Sequence, residues 1–207
     1  MGVVKSMVRC LPFYLFAFLL LSACSENDDN SSEFDDWQSK NTTYWNALYA
    51  KAQDSVKAGN TSWKIIKKWS LEDALQSKST DYIIVHVKEK GTGTVCPIYT
   101  DTVRTHYTGR LIPSESYPDG YQFDSSLGHA ISMDEATPTK FAVSSVVDGF
   151  STALQNMHVG DRWEVYIPYT LGYGESAQSA IPAYSTLIFD IKLAAFYPKG
   201  QKVPDWK

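Results

Sequence analysis

The side chains that most often carry chemistry in proteins are few and widely separated in this chain. The histidines are His86, His106, His129 and His158, and the cysteines are Cys10, Cys24 and Cys96. Zinc sites use closely spaced Cys and His ligands, and a disulfide framework needs paired cysteines, so neither is predicted. No Gly-x-Ser-x-Gly motif occurs, and Gly91-Thr-Gly93 lacks the rest of a phosphate-binding loop. The sequence therefore predicts no metal, no cofactor and no covalent intermediate.

An ordered series of aromatic, aliphatic and small polar residues is the most informative feature of residues 106–190. Its segments are His106-Tyr107-Thr108-Gly109, Phe123-Asp124-Ser125-Ser126, Phe141, Val146-Val147-Asp148-Gly149-Phe150, Met157-His158-Val159-Gly160-Asp161, Tyr173-Gly174, Ile181-Pro182 and Leu187-Ile188-Phe189-Asp190. Side chains of this kind favour an apolar pocket with a few polar groups at its edge. On composition alone the phenylalanines could be sealed core instead, and Asp124 could simply begin a turn.

In this order and spacing, the series resembles the FK506-binding-protein (FKBP) family of peptidyl-prolyl cis-trans isomerases. The likeness covers roughly residues 82–197, which is more than half of the chain. It implies an α+β fold in which an antiparallel half-barrel sheet wraps around one short helix, with an apolar pocket between them. It also implies prolyl isomerisation of proline-containing polypeptides, in support of the folding of exported proteins.

The resemblance implies a role for each matching position. Tyr107, Asp124 and Tyr173 would be the polar, catalytic groups of the pocket. The side chains that bind the substrate would be Phe123, Phe141, Val146, Val147, Phe150, Ile181 and Phe189. Phe150 would form the floor, and the Val147 amide would donate a hydrogen bond to a substrate carbonyl.

Three positions depart from the family pattern and leave a second function open. Phe150 stands where the family commonly has tryptophan, Thr139 replaces an aromatic residue, and Ala180 replaces a larger aliphatic in a shortened loop. Lower turnover and weaker macrolide binding would follow. The alternative is therefore a catalytically weak proline-peptide binding or chaperone module. The loop at 112–122 is longer than the family's usual turn and is expected to shape access to the pocket.

The start of the chain predicts export and lipid attachment. Lys5 and Arg9 precede an apolar run at 11–21, which is a secretory signal pattern and is shorter than the roughly 20 residues that cross a bilayer. Leu21-Ser22-Ala23-Cys24 resembles a bacterial lipobox, in which Cys24 becomes the lipidated first residue. The alternative is an ordinary signal peptide with an incidental cysteine. We expect the protein on the outer membrane, on its periplasmic or cell-surface face.

Composition divides the chain into five segments. They are a lipoprotein signal peptide at 1–23, an acidic flexible tether at 24–36, a helical extension at 37–80, an isomerase domain at 81–197 and a C-terminal tail at 198–207. The acidic tether also resembles the surface-export tags of Bacteroides-type lipoproteins. The formal net charge of −4 excludes the basic surface that a nucleic-acid partner requires.

Hydrophobic periodicity predicts the elements that position the pocket residues. Alternating apolar residues predict four strands, which lie at 83–87, 103–108, 162–167 and 187–193. Apolar residues at helical spacing over 146–157 predict the central helix, and Ser145 with Asp148 predicts a capping box at its start.

Residues 37–57 carry an apolar stripe from Tyr44 onward, which predicts an amphipathic helix that ends at Gly59-Asn60. Its aromatic residues could pack on the main domain or pair two protomers as a homodimer. A third function would be a surface lipoprotein whose aromatic residues in 37–69 bind a glycan or a protein partner.

Overall fold

The computed structural model describes residues 33–72, 77–130 and 132–206. The predicted signal peptide at 1–23, the lipidation site Cys24 and the acidic run up to residue 32 lie outside these residues. No helix in the described part of the chain has both the length and the apolar character that crossing a bilayer requires.

Within the described residues, the regular structure consists of one antiparallel sheet of seven strands, two α-helices and three short 3-10 helices. The strands are β1 (Trp63–Lys67), β2 (Tyr82–Glu89), β3 (Thr102–Arg110), β4 (Gln122–Ser125), β5 (Thr139–Ala142), β6 (Arg162–Ile167) and β7 (Leu187–Tyr197), and the helices are α1 (Trp37–Lys57) and α2 (Asp148–Leu154). The strand order is β1-β2-β6-β7-β3-β4, and β5 also pairs with β3. This sheet, with one short helix and an N-terminal helix, confirms the predicted α+β fold.

Strand β3 brings the segments of the pocket together. Strand β7 pairs along one side of β3, while β5 and β4 share the other side. In β5, Phe141 lies opposite Val103 at the start of β3, and in β4, Asp124 lies opposite Gly109 near its end. Two segments that are distant in sequence therefore reach the same edge of one strand.

Both faces of strand β2 are buried, which explains its nearly continuous apolar run. Successive side chains of a strand point to opposite faces of the sheet. Ile83 and Val85 belong to the main core with α2, whereas Ile84 packs with Trp45 and Ala52 of α1. Trp45 and Ala52 of helix α1 therefore pack on the face of the sheet opposite to α2, whereas Trp37 at the start of α1 belongs to the main core.

Helix α2 is shorter than the sequence predicted, and the predicted capping box is wrong. Val146 and Val147 have extended backbones with ψ of 165° and 151°, and the helix begins only at Asp148. The Ser145 hydroxyl donates to the Ala142 carbonyl at 2.8 Å instead of capping the helix. Valine is branched at Cβ and favours extended backbone over a helix start. The valines therefore lie in front of the helix rather than on its first turn.

Candidate active site

Five aromatic rings from five different elements meet between the sheet and α2. The shortest centroid distance is 5.1 Å, between Phe150 and Phe189, and their planes are perpendicular at 90°. The other pairs are Tyr107–Phe141 at 5.6 Å, Tyr107–Phe150 at 6.1 Å, Tyr107–Phe189 at 6.3 Å, Phe123–Phe189 at 5.5 Å and Phe141–Phe150 at 6.3 Å. Four of these six pairs are edge-to-face, which is a favoured geometry of aromatic rings at such distances, and the two pairs of Tyr107 with Phe141 and Phe189 are tilted.

The ring cluster is closed at its base and open at its walls. Phe150 and Phe189 are only 4% and 6% exposed, which makes them the floor. Phe123 and Phe141 are half-buried and border the opening. The arrangement presents an apolar surface that an apolar group of a ligand can contact.

Tyr107 and Asp124 form the polar contact at the edge of the ring cluster. The Tyr107 hydroxyl donates to Asp124 Oδ2 at 2.7 Å, and Asp124 Oδ1 accepts the Ser125 amide at 2.8 Å. Burial of the phenol, this hydrogen bond and the Asp124 charge raise the pKa of Tyr107 far above its ordinary value. Asp124 therefore orients Tyr107 through one oxygen and accepts the amide of the next residue of β4 through the other.

Gly109 is required for the close approach of two rings of the cluster. A Cβ atom at this position would lie 2.5 Å from Phe123 and 2.6 Å from Phe189. Carbon atoms do not pack closer than about 3.5 Å without repulsion. The glycine therefore allows the rings from β4 and β7 to meet across β3.

The start of α2 forms the rim next to the floor. Val146 and Val147 are half-buried and pack against the main core, and Val147 is the N-cap residue of the helix. Amide groups at the N-terminus of a helix have no intrahelical acceptor. The rim therefore offers a hydrogen-bond donor beside an apolar surface.

The loop at 172–186 closes the opposite side of the site. Ile181 is buried in the main core, and its backbone pairs with Gln178 through two hydrogen bonds of 2.8 and 2.9 Å. Tyr173 is 41% exposed, and its phenol contributes to the raised pKa of Tyr107. The exposed Tyr173 phenol therefore lies close enough to Tyr107 to influence it electrostatically.

Contacts between α1 and this loop were not predicted from the sequence. Trp37 Nε1 donates to Ser185 Oγ at 2.8 Å, and Asn41 Oδ1 accepts the Thr186 amide at 2.7 Å. All four residues are buried. The sequence did contain a sign of this contact surface. Trp37, Asn41 and Trp45 follow one another at four-residue spacing and therefore share one helix face.

Within residues 33–72, 77–130 and 132–206, no group of three or more His, Cys, Asp or Glu side chains could hold a metal ion. The polar groups that meet at the edge of the ring cluster are the Tyr107 hydroxyl and the Asp124 carboxylate.

Comparison with known proteins gives the same identity for this region. Residues 94–194 match the family of FKBP-type peptidyl-prolyl cis-trans isomerases. The chain is 43% identical over 108 residues to the FKBP-type 22 kDa peptidyl-prolyl cis-trans isomerase of Escherichia coli K12, covering 52% of this chain and 46% of the relative. It is 39% identical over 113 residues to the macrophage infectivity potentiator of Trypanosoma cruzi, covering 54% and 52%. The chain thus spans about half the length of the curated relatives it matches.

A solved structure shows the same fold. The structure of the three FKBP domains of wheat FKBP73 aligns with a TM-score of 0.50 at 23% identity, over 66% of this chain and 52% of that chain. The family match and the sequence relatives agree with the α+β architecture described above. The chain therefore carries an FKBP-type peptidyl-prolyl cis-trans isomerase domain over residues 94–194.

Proposed function

We propose that this chain is a peptidyl-prolyl cis-trans isomerase that acts on proline-containing polypeptides at the ring cluster. The observation that carries the proposal is the Tyr107–Asp124 hydrogen bond at the edge of an apolar floor made by Phe150 and Phe189. The match to the FKBP-type family over residues 94–194 supports the same reaction.

The proposed reaction needs no covalent step. The bond before proline resists rotation because of its partial double-bond character, and uncatalysed exchange takes tens to hundreds of seconds. In the twisted transition state this conjugation is lost, so the amide is less dipolar than in either planar form. An apolar pocket therefore disfavours the planar ground state relative to the twisted state, and lowering the barrier by about 1.4 kcal/mol gives a tenfold rate increase.

Each polar group has a distinct role in this proposal. The Val147 amide donates to a carbonyl of the bound polypeptide and fixes its position. The Tyr107 hydroxyl is oriented by Asp124, and the exposed Tyr173 hydroxyl is a second donor at the open side. Val146, Ile181 and the rings of the cluster hold the proline by apolar contact.

An isomerisation assay tests the proposal. The assay uses residues 25–207, which include every residue that the structure describes, with short Xaa-Pro peptides in which Xaa is varied. We expect Tyr173→Phe and Asp124→Ala to lower kcat/KM without loss of the fold. Matched controls are Tyr49→Phe and Asp54→Ala on α1, which should change neither.

The outcome separates the enzyme from its alternative. A folded protein that binds the peptides without accelerating their isomerisation would contradict the proposal and leave a binding module. Equal losses in the α1 control variants would show that the effect does not come from the pocket.

We further propose that Cys24 attaches the protein to the outer membrane. The lipobox-like segment before Cys24 supports this, and a relative that is 41% identical over 106 residues is named outer membrane protein MIP of Legionella longbeachae. Glu33 is hydrogen-bonded to Ser116 and follows Cys24 by nine residues, so at most about 30 Å of chain separates the lipid from this contact. Metabolic labelling with a fatty acid tests the anchor, and Cys24→Ala must abolish the label.

A homodimer through residues 37–57 stays a prediction. Helix α1 already buries Trp37, Trp45 and Ala52 against its own chain, so a second copy would have to use its polar face. Sedimentation of the chain at several concentrations tests the prediction, and a monomer at every concentration would remove it.

A further inference from the structure

A groove of about 400 Å³ lies next to the ring cluster, on the side of Ile181. One wall is aromatic and consists of Phe34, Tyr117 and Tyr121, and the other wall is the loop segment at 177–182. None of the nine side chains that line the groove is charged. Its volume lies within the roughly 300–1,000 Å³ of typical ligand sites.

The aromatic wall is built by the long loop between β3 and β4. The Tyr117 and Tyr121 rings meet at 5.0 Å with an interplanar angle of 74°. The Gly120 amide donates to the Tyr117 carbonyl at 2.9 Å, and the Leu111 amide donates to the Tyr121 carbonyl at 3.0 Å. The two rings are therefore held by the backbone before any ligand arrives.

The N-terminal segment completes this wall. The Glu33 carboxylate accepts the Ser116 amide at 3.0 Å and the Ser116 hydroxyl at 2.7 Å. The Phe34 ring packs edge-on against Trp37 at 4.9 Å. These contacts place Phe34 beside the long loop, although the two segments are about 80 residues apart in sequence.

Trp37 also connects the aromatic wall to the opposite wall. Its indole donates to Ser185 Oγ at 2.8 Å, and the Ser185 hydroxyl donates to the Pro182 carbonyl at 2.6 Å. The separation of the walls is therefore fixed by hydrogen bonds. A preformed site of this kind binds with a smaller loss of conformational entropy.

On the basis of the proposed isomerase function, we propose that this groove binds an uncharged apolar or aromatic side chain of the client polypeptide outside its Xaa-Pro pair. Ile181 lines the groove and also belongs to the main core, which contains Phe150 and Phe189. Tyr121 precedes Phe123 by two residues, and side chains two apart lie on the same face of an extended chain. The groove therefore borders the pocket through Ile181 and Tyr121.

The residues that precede Glu33 in the same chain are unsuited to occupy the groove. Residues 25–32, directly before Glu33, are Ser, Glu, Asn and Asp without an apolar side chain. Ala180, where the family usually has a larger aliphatic residue, lines the groove and leaves space in it. The lining has three aromatic rings and no cation, so it fits an apolar side chain better than a carboxylate, which would lack an opposite charge there.

Peptides that differ at one position test this inference. The full chain is tested with Xaa-Pro peptides that carry Phe, Ala or Glu two residues before or two residues after the pair, and both Kd and kcat/KM are measured. We expect a Phe peptide of one of these two sets to bind about tenfold more tightly than its Ala counterpart, because the groove covers much of one aromatic side chain. The Glu peptides should gain nothing.

Variants on both walls test whether the groove is responsible. Tyr117→Ala and Ala180→Leu, which open and fill the groove from opposite walls, should each bring the ratio of the Ala to the Phe Kd close to one. The matched control is Tyr99→Ala, because Tyr99 is 38% exposed like Tyr117 but lies outside the groove. This control should keep the ratio.

Several results would overturn the inference. A ratio near one in the unmodified chain, an equal gain for the Glu peptides, or a ratio unchanged in both variants would each do so. A concentration-dependent dimer that Tyr117→Ala abolishes would assign the groove to a second copy of the chain. If the unmodified chain shows no turnover but keeps the Kd ratio between the Ala and Phe peptides, the proposed isomerase function is refuted and the groove is still a peptide-binding site.

Discussion

Replacement of Phe150 by alanine tests the placement of the pocket floor. Phe150 is 4% exposed, and the rings of Phe189, Tyr107 and Phe141 lie 5.1, 6.1 and 6.3 Å from it. The variant removes the one ring of the cluster that α2 contributes. We expect a large loss of stability, because three partner rings would face an empty space.

The expected magnitude follows from the burial of the ring and from its position in a helix. Truncating a buried Phe to Ala costs about 3–5 kcal/mol when the surroundings relax only partly. Alanine favours a helix interior over phenylalanine by about 0.5 kcal/mol, which offsets a small part of this loss. For Phe150→Ala we therefore expect the free energy of unfolding to fall by about 3–4 kcal/mol.

Urea unfolding at equilibrium measures this loss, and an unchanged m value shows that the variant still unfolds in one cooperative step. Phe141→Ala is the matched control, because Phe141 belongs to the same cluster but is half-buried on a four-residue strand. Its loss should be about half as large. A loss below about 1 kcal/mol for Phe150→Ala would refute the placement of this ring between α2 and the sheet.

Three further predictions concern packing, a buried hydrogen bond and pH. Gly109→Ala should lower stability by about 1–3 kcal/mol in urea unfolding, because its Cβ would lie 2.5 Å from a neighbouring ring; an unchanged midpoint would contradict the close approach. Asn41→Ala should cost about 1–3 kcal/mol, because the buried Thr186 amide loses its acceptor, whereas Asn46→Ala on the exposed face should be nearly neutral. Burial, and to a lesser degree the charge of Lys192, lowers the pKa of His106 in the folded protein. The unfolded chain therefore binds the proton more readily than the folded protein does. The free energy of unfolding should fall as the pH drops below about 6.5. Unfolding at about pH 7.5 and about pH 5 checks this, and a His106→Gln variant with the same pH dependence would refute it.

Long elements with a clear apolar pattern were predicted correctly from the sequence. Strands β2, β3, β6 and β7 and helix α1 each carry the periodicity of their secondary structure, and each was predicted within a few residues of its observed bounds. Their side chains bury one or both faces, so the pattern is imposed by the core. The set of aromatic residues that form the cluster was also identified from the sequence.

Short strands were missed because pairing, and not their own pattern, makes them strands. Strand β4 has four residues, Gln122–Ser125, with no fully buried side chain, and β5, Thr139–Ala142, is equally short. Strand β1, Trp63–Lys67, has an imperfect apolar pattern and pairs with β2 as the edge strand of the sheet. A local pattern of four or five residues cannot report a partner that lies far away in the chain.

The sequence by itself identified the fold class, the FKBP-type domain and the aromatic residues that meet in the ring cluster, because these depend on residue types in a fixed order. The tertiary structure decided how these residues interact. The Tyr107–Asp124 hydrogen bond, the docking of Trp37 on Ser185 and the aromatic wall made by Phe34 all join segments that are distant in sequence. Such contacts form only when the folded sheet brings the segments within hydrogen-bonding or van der Waals distance, so local sequence patterns do not encode them.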